Sequence, residues 1–310
     1  MSWPINVTIK EVGPRDGLQN EKKLISTKVK TDWINKLSQS GLRHIEITSF
    51  VHPKWVPALA DAKDVAKLIQ RKEGVVYTAL VPNQKGLEAA LETNVDEIAV
   101  FMSATETHNK KNINKSIDQT LPVLRQTAQE AVKANIPVRA YVSTAFFCPY
   151  EGRTNSENVR RISEYLLEIG AYELSIGDTV GTASPVQVED TLKHLLKGIP
   201  TKKLAMHFHD TRGTALSNTL KALEMGIQTF DSSCGGLGGC PYAPGAAGNT
   251  ATEDLLYMLH KMGIKTGVSE EKMVKNAMFM ENHIGKSLPS KALQAHKGKK
   301  AVLAKKGDKR

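Results

Sequence analysis

Two histidines separated by one residue, His207 and His209, form the pattern in this chain that is best suited to metal chemistry. They lie in the segment MHFHD, which we predict to be part of a strand. Because alternate side chains of a strand point to the same side, both imidazoles could bind one ion. The alternative is a pair of hydrogen-bonded histidines in the core.

Oxygen ligands for the same ion are available elsewhere in the chain. Asp16 follows the first predicted strand and would supply a carboxylate, and Asn249 follows a long loop and would supply a carbonyl oxygen. Two nitrogens and two oxygens, with room for water, suit a hard to borderline ion such as Mg²⁺ or Mn²⁺. A closed structural zinc site would need more cysteine or histidine ligands.

The segment EVGPRDGLQNE, residues 11–21, places an arginine next to this carboxylate. Pro14 and the glycines on either side of it predict a turn, with Arg15 beside Asp16. A buried arginine near a metal keeps its charge, so it is suited to stabilising an enolate oxygen as it develops. The alternative is an ordinary turn at the end of a strand with a surface salt bridge.

A glycine-rich loop, CGGLGGCPYAPGAAGN at residues 234–249, is the third pattern that could do chemistry. Loops of more than about 12 residues in a compact domain are usually functional. The glycines would let this loop close over a ligand, and Cys240 would then act as an acid or base away from water. We expect Cys234 and Cys148 to be packed residues. The chain has neither G-x-G-x-x-G after its first strand nor a Walker lysine, which disfavours a phosphate-binding loop.

Eight β-branched runs alternate with eight amphipathic segments, and these elements would position the candidate residues. The predicted strands are Ile5–Val12, His44–Phe50, Val75–Val81, Glu97–Ser103, Pro137–Thr144, Tyr172–Thr179, Leu204–Asp210 and Thr229–Cys234. The predicted helices lie near 28–40, 57–71, 83–93, 116–134, 155–169, 184–196, 214–225 and 250–262. Eight such repeats predict an α/β fold, a closed (β/α)₈ TIM barrel, with an open doubly wound sheet as the alternative.

In such a barrel the active site lies at the carboxyl ends of the strands. The candidate catalytic and metal-binding residues lie at or near these ends: Arg15, Asp16, Glu46, Asp178, His207 and His209. We therefore expect them to meet at one mouth of the barrel.

The net charge of +10 is concentrated at the end of the chain, because residues 286–310 hold nine lysines and arginines against one acid, Asp308. We predict a barrel domain over 1–285, including an added helix near 269–285, and a basic tail over 286–310. The tail is either a solvated terminus or a site of attraction for an anion such as coenzyme A or a polyanion.

The composition favours a cytoplasmic enzyme. Three cysteines are too few for a disulfide framework, and no apolar run approaches the ~20 residues that span a bilayer. The amino-terminal segment MSWPINVTIKEV has neither a secretory nor a transit pattern. We also expect a homodimer that uses no membrane and no specific nucleic acid.

Several segments together resemble the hydroxymethylglutaryl-CoA lyase family, within a barrel superfamily of metal-dependent lyases and synthases. The resemblance runs from about Val7 to Ser290. It is carried by EVGPRDGLQNE at 11–21, SFVHPKWVPALAD at 49–61, KKNIN at 110–114, CPYEG at 148–152, ELSIGDTVG at 173–181, HFHDTRGTALSNTL at 207–220 and GLGGCPYAPGAAGNTATEDLLYML at 236–259. It implies metal-dependent cleavage of 3-hydroxy-3-methylglutaryl-CoA to acetyl-CoA and acetoacetate, a step of leucine degradation and ketone-body formation.

The resemblance also implies roles for individual residues. The implied metal ligands are Asp16, His207, His209 and Asn249. The implied catalytic groups are Arg15, which stabilises the enolate, Cys240 as acid/base thiol, Asp178 and Glu253 in support, and Glu11 and Glu46, which orient Arg15 or the metal ligands. The implied coenzyme A contacts are Lys22, Lys111 and Asn112. The base that removes the hydroxyl proton is either Asp178 or His207.

Two other functions are considered. A Claisen-type synthase of the same superfamily, such as an isopropylmalate synthase, would share the Arg-Asp-Gly turn and H-x-H-D, but Cys240 favours the lyase. A coenzyme A or nucleic-acid binding protein would use the basic tail, although the rest of the chain is nearly neutral.

Overall fold

A closed barrel of eight parallel strands forms the body of the protein in the computed structural model, which describes residues 3–239 and 248–307, with side chains up to residue 300. The strands are β1 (Thr8–Glu11), β2 (His44–Ser49), β3 (Val76–Leu80), β4 (Glu97–Ser103), β5 (Val138–Ser143), β6 (Phe147–Cys148), β7 (Gly152–Arg153), β8 (Ala171–Asp178), β9 (Leu204–Phe208) and β10 (Thr229–Ser232). The order around the barrel is β1-β10-β9-β8-β5-β4-β3-β2, and β6 and β7 form a separate hairpin. The predicted (β/α)₈ barrel is confirmed.

Helices connect and cover the strands. They are α1 (Thr27–Ser38), α2 (Ala62–Leu68), α3 (Gln84–Leu91), α4 (Glu106–Ile113), α5 (Ile117–Lys133), α6 (Ser156–Glu168), α7 (Pro185–Leu195), α8 (Ala215–Glu224), α9 (Thr252–Lys261), α10 (Glu270–Ile284) and α11 (Lys291–Gly307). Short 3₁₀ turns span Pro57–Leu59, Thr201–Lys203 and Cys234–Gly236, and a π-helical turn spans Gly13–Gly17. The eight predicted connecting helices and the added one correspond to these helices, except for α4 and α11, which were not predicted. No helix in the described ranges is long and apolar enough to cross a membrane.

Local sequence explains where several helices begin. Ser116 and Ser184 accept hydrogen bonds from the backbone amides of Gln119 and Gln187, whose side chains in turn accept from the two serine amides. Such capping boxes pair amides that the first helical turn leaves without partners. This reciprocal pairing fixes where α5 and α7 begin, and each helix begins one residue after its predicted start.

The end of β9 and the start of β1 differ from their predicted positions, because the backbone there forms hydrogen bonds outside the barrel sheet. β9 ends at Phe208 rather than at Asp210, since the Asp210 amide donates to the Gly248 carbonyl (2.8 Å) and its carboxylate accepts from the Ala215 amide (3.0 Å). β1 begins at Thr8 rather than at Ile5, because residues 5–7 pair with Lys265 instead. His209 therefore lies one residue beyond its strand.

The interior of the barrel is charged rather than apolar. Lys10 on β1 lies 2.8 Å from Glu173 on β8, and Arg139 on β5 lies 2.7 Å from Asp231 on β10. Neither pair of strands is adjacent in the barrel, so both contacts cross its interior. Bulky branched side chains usually fill this space. Here ion pairs occupy this part of the interior, beneath the carboxyl ends of the strands.

The basic carboxyl-terminal segment begins as a packed helix. The Asp254 carboxylate accepts hydrogen bonds from Ser290, Lys291 and Ala292 at the start of α11. Leu288 and Leu293 are fully buried. The segment therefore differs from a freely solvated terminus over its first residues, and the division into a domain over 1–285 and a tail over 286–310 stays a prediction.

Candidate active site

The turn after β1 orients the candidate arginine. Its backbone forms a single π-helical turn in which the amides of Arg15, Asp16 and Gly17 donate to the carbonyl of Val12. A side chain at Gly13 would lie 2.6 Å from the carboxylate of Glu11, so only glycine fits there. Glu11 accepts from the amides of Gly13 and Cys234, both at 2.8 Å. These contacts fasten the turn to the end of β10, on the other side of β1 from β2.

Arg15 is buried among carboxylates and an aromatic ring. Its Nε donates to Glu46 (2.7 Å), and its Nη1 pairs with Asp16. Tyr141 donates to the same Glu46 oxygen (2.9 Å), and its ring centroid lies 5.2 Å from the guanidinium carbon. Because an arginine side chain stays protonated, this arrangement holds a fixed positive charge at the mouth of the barrel. Glu46 therefore contacts Arg15 directly.

The two histidines face each other at the end of β9. The Nε2 atoms of His207 and His209 are 3.1 Å apart, and they lie 4.0 Å and 3.9 Å from an Asp16 carboxylate oxygen. Asp16, His207 and His209 together could hold a metal ion, since their ligand atoms lie within 4.8 Å of one another. Asn249 joins them through the bridge with His209 and donates to Asp16 (2.8 Å). The four predicted ligands are thus brought together.

The electrostatics of these residues fit a divalent ion. Burial would raise the pKa of Asp16, but Arg15, the two histidines and the hydrogen bond from Asn249 together outweigh burial and lower that pKa to about 2, so the carboxylate is ionised. Burial lowers the pKa of His209 to about 4, so its imidazole is neutral. The side-chain oxygen of Asn249 is buried without a hydrogen-bond partner in the described structure. A buried carbonyl without a partner, beside an ionised carboxylate and the neutral imidazole of His209, is a donor set that suits a divalent cation.

Asp178 lies at the end of β8 and is almost fully buried. Its carboxylate accepts hydrogen bonds from the backbone amides of Gly181, Thr182 and Ala183, at 3.1 to 3.2 Å. Burial raises the pKa of Asp178 to about 6 against the effect of these three bonds. The carboxylate is therefore mostly ionised near neutral pH and close to the range in which it can take up a proton.

Glu253, in the first turn of α9, anchors the start of the glycine-rich loop. It accepts from the amide of Gly235 (2.9 and 3.0 Å) and from the thiol of Cys234 (3.2 Å). Burial raises the pKa of Glu253 to about 8, and burial likewise raises that of nearby Glu11 to about 7. Cys234 is fully buried as expected, but it also donates a hydrogen bond.

These raised pKa values predict a dependence of stability on pH. The folded state binds the Glu253 proton more tightly than the unfolded chain, whose pKa is near 4.5, so stability falls as pH rises from there through about 8. Glu253→Gln cannot ionise and should lose less stability between pH 5 and 8 than the parent, by on the order of 3 kcal/mol. Denaturant unfolding at both pH values measures this difference. The exposed control Glu88→Gln should lose as much stability as the parent. An equal loss in Glu253→Gln would contradict the raised pKa of Glu253.

The remaining predicted site residues fall in different places. Cys240 lies outside the described residues. Lys22 is exposed after the turn that carries Arg15, and Lys111 and Asn112 are exposed on α4, which follows β4. All three therefore lie on the side of the carboxyl ends of the strands. The Lys111 amino group lies 5.0 Å from the ring centroid of Tyr150.

The sequence interpretation missed the polar residues beneath the site. Tyr141 holds Glu46, Arg139 holds Asp231, and Asp231 contacts His207. One signal was present, because Arg139 and Tyr141 alternate along a predicted strand and so share a face. An arginine inside a strand that is otherwise apolar indicates a buried ion pair.

Comparison with known proteins gives a consistent result. The model of the HMGL-like family matches residues 6–279. The chain is 60% identical over 297 residues to the hydroxymethylglutaryl-CoA lyase of Bacillus subtilis, covering 96% of this chain and 99% of that protein. It is 48% identical to the human mitochondrial hydroxymethylglutaryl-CoA lyase, covering 94% of this chain and 90% of the relative.

Solved structures agree in fold. The crystal structure of the Bacillus subtilis HMG-CoA lyase superposes with a TM-score of 0.95 and covers 96% of this chain and 100% of its own. An HMG-CoA lyase from Acinetobacter baumannii, solved with coenzyme A and 3-methylmalate, is 37% identical with a TM-score of 0.91, covering 95% of this chain and 96% of its own.

Proposed function

The chain belongs to the HMGL-like family, and we infer that it is a lyase that cleaves 3-hydroxy-3-methylglutaryl-CoA into acetyl-CoA and acetoacetate. The observation that carries this function is the convergence of Arg15 with Asp16, His207 and His209 at the mouth of the barrel. A permanent positive charge beside a cation site is what an enolate-forming cleavage needs. The strong similarity to lyases favours this activity over a synthase or a binding protein.

We propose that Asp16, His207, His209 and Asn249 hold Mg²⁺ or Mn²⁺. The ionised carboxylate of Asp16, the neutral imidazole of His209 and the unpaired carbonyl oxygen of Asn249 support this choice. When bound, the ion supplies Lewis-acid chemistry, orienting the substrate and making its hydroxyl more acidic.

Asp178 is the base that removes the hydroxyl proton. Both ring nitrogens of His207 already have partners in this account, because Nδ1 faces Asp231 and Nε2 faces the ion site. The Asp178 carboxylate has about four acceptor positions, of which backbone amides occupy three. Its remaining position can accept the proton, and the bond between carbons two and three then breaks.

Arg15 stabilises the acetyl-CoA enolate that this cleavage leaves, and Cys240 protonates it. Glu46 and Tyr141 keep the guanidinium in place, and Glu11 and Glu253 hold the turn and the base of the loop. Lys22, Lys111 and Asn112 contact coenzyme A, since they lie on the correct side of the barrel and two of them are cationic.

Reaction specificity tests the function. Purified protein should convert 3-hydroxy-3-methylglutaryl-CoA into acetoacetate and acetyl-CoA, measured by chromatography of the products. Acetyl-CoA mixed with a 2-oxoacid should give no condensation product. Efficient condensation would move the protein to the synthase branch. Salt-dependent RNA binding that requires residues 286–310, without any cleavage, would support a binding protein instead.

The role of Cys240 is tested by alkylation. A thiol-directed reagent should inactivate the enzyme, and an unreactive substrate analogue should protect it, because the loop would cover the thiol. Cys240→Ser should fold and bind the ion but turn over about 10²-fold more slowly, because a serine hydroxyl is a far weaker acid than a thiol. Cys148→Ser is the matched control, since Cys148 is fully buried. An inactivating label mapped to Cys148 or Cys234 would remove Cys240 from the mechanism.

We also propose that the enzyme works in the cytoplasm as a homodimer. The low cysteine content supports a reducing compartment. Light scattering that gives the mass of a single chain would contradict the dimer, and fractionation of cells that places the protein elsewhere would contradict the compartment.

A further inference from the structure

A buried carboxylate on β10 lies directly behind one of the proposed metal ligands. Asp231 has a fully buried side chain, and both of its oxygens accept hydrogen bonds. One oxygen accepts from Arg139 (2.7 Å). The other accepts from Ser175 (2.7 Å) and Arg139 (3.2 Å) and faces Nδ1 of His207 (3.2 Å).

We propose that Asp231 is a positioning residue that fixes the tautomer and direction of His207, so that the Nε2 lone pair of His207 faces the ion. This inference rests on the metal site of the proposed function and deepens it. Asp231 does not touch the ion or the substrate in this account, and it acts only through the imidazole.

The chemistry of the two groups gives the direction of the hydrogen bond. A carboxylate can only accept, and a neutral imidazole has one donor and one acceptor nitrogen. The nitrogen that faces Asp231 must therefore carry the hydrogen, which leaves Nε2 of His207, 3.1 Å from Nε2 of His209, as the acceptor nitrogen. Tyr141 packs edge-on against His207, with an interplanar angle of 86°, and so limits rotation of the ring.

Asp231 is itself held rigidly by an ion-pair chain across the barrel. Arg139 donates to Asp231 with two nitrogens and to Glu173 with its Nε (2.7 Å), and its guanidinium carbon lies 4.9 Å from the Tyr141 ring centroid. A metal ligand that donates its second ring N–H to a fixed carboxylate is a better-oriented and more basic ligand.

The competing explanation is that Asp231 serves only to neutralise the buried Arg139. Glu173 provides a matched control, because it is a second buried carboxylate on the same arginine and contacts Lys10 on its other side. Glu173 accepts from Nε of Arg139, whereas Asp231, which meets His207, accepts from the two Nη nitrogens. Removing the charge of Glu173 therefore disturbs the ion-pair chain without changing the partner of the imidazole.

The first experiment compares Mn²⁺ affinity, by calorimetry, in the full-length parent, Asp231→Asn and Glu173→Gln. In Asp231→Asn the amide oxygen should turn to the charged Arg139, which leaves an N–H₂ group facing His207. The imidazole then has to accept at Nδ1 and carry its hydrogen at Nε2, where the ion would bind. We expect Asp231→Asn to bind Mn²⁺ about 10- to 100-fold more weakly. Glu173→Gln should bind Mn²⁺ within about 3-fold of the parent, even where both variants lose thermal stability. The partners of Glu173, Lys10 and Arg139, are not metal ligands in this account.

A second measurement does not depend on either variant folding. Nitrogen-15 NMR of the histidine rings in the metal-free parent at pH 8 should show His207 protonated at Nδ1. A hydrogen on Nε2 in the parent, equal Mn²⁺ affinity in Asp231→Asn, or an equal loss in Glu173→Gln would each overturn the positioning role. A parent that binds no Mn²⁺ would contradict the metal site itself, which separates the two failures.

Discussion

Arg15→Gln is expected to keep the fold and bind the divalent ion, yet cleave 3-hydroxy-3-methylglutaryl-CoA about 10²–10³-fold more slowly. In the proposed mechanism Arg15 acts on the negative charge that develops on the enolate oxygen, so its loss should affect the transition state more than the ground state. Losing one electrostatic donor of this kind typically reduces the rate by that factor. Glutamine keeps a hydrogen-bond donor toward Glu46, which limits the structural damage.

The turnover number and a Mn²⁺ titration of the same preparation measure the two halves of this expectation. Arg125→Gln is the matched control, since that arginine forms a surface pair with Glu168 on the outside of the barrel, and it should be fully active. An Arg15→Gln enzyme with the parent turnover number would exclude Arg15 from catalysis. A parallel loss of Mn²⁺ binding would instead give it a role in the metal site.

His207→Ala is expected to lose both ion binding and activity. In the proposed metal site the ring would supply one of three ligand atoms that lie within 4.8 Å of one another. Changes behind a ligand already reduce affinity about 10- to 100-fold, so removal of the ligand itself should exceed about 100-fold. Asp16→Ala should behave in the same way, because it removes the only anionic ligand of the proposed set.

Calorimetric titration with Mn²⁺ provides the measurement, and far-ultraviolet circular dichroism shows whether the variants remain folded. His194→Ala is a suitable control, as this histidine is half-exposed on α7, outside the barrel. A folded His207→Ala or Asp16→Ala protein with the parent affinity for Mn²⁺ would remove that residue from the metal site.

Much of the fold was predictable because its signals are local. The strand runs that carry Glu46, Asp178 and His207 are short and alternate with longer amphipathic segments, and serines such as Ser116 and Ser184 mark helix starts. The placement of these three side chains at one mouth then follows from the barrel itself. His207 and His209 were predictable as a pair because alternate residues of a strand share a side.

The missed helices lack such local signals. Helix α4 buries His108 and Asn109 rather than an apolar stripe, so its sequence shows no helical periodicity. Helix α11 is rich in lysine, and its first turn is held by Asp254, which lies 36 to 38 residues earlier in the chain. Both helices depend on tertiary contacts, which override weak local preference.

The part of the site that was not predicted also depends on contacts between residues far apart in the sequence. Asp231 meets Arg139 across 92 residues and His207 across 24, from strands whose register only the closed barrel defines. The sequence shows that each strand contains a charged residue, but it does not show which charges meet. That pairing follows from the stagger of the strands.

The most direct test of the account is acetoacetate production from 3-hydroxy-3-methylglutaryl-CoA by one protein sample, before chelation, after chelation and after Mg²⁺ is returned. The account predicts rapid cleavage, then none after exhaustive removal of metal with EDTA, then recovery on addition of Mg²⁺ or Mn²⁺. Full cleavage by the metal-free protein would contradict the metal-dependent mechanism, and no cleavage in any state would contradict the assigned reaction.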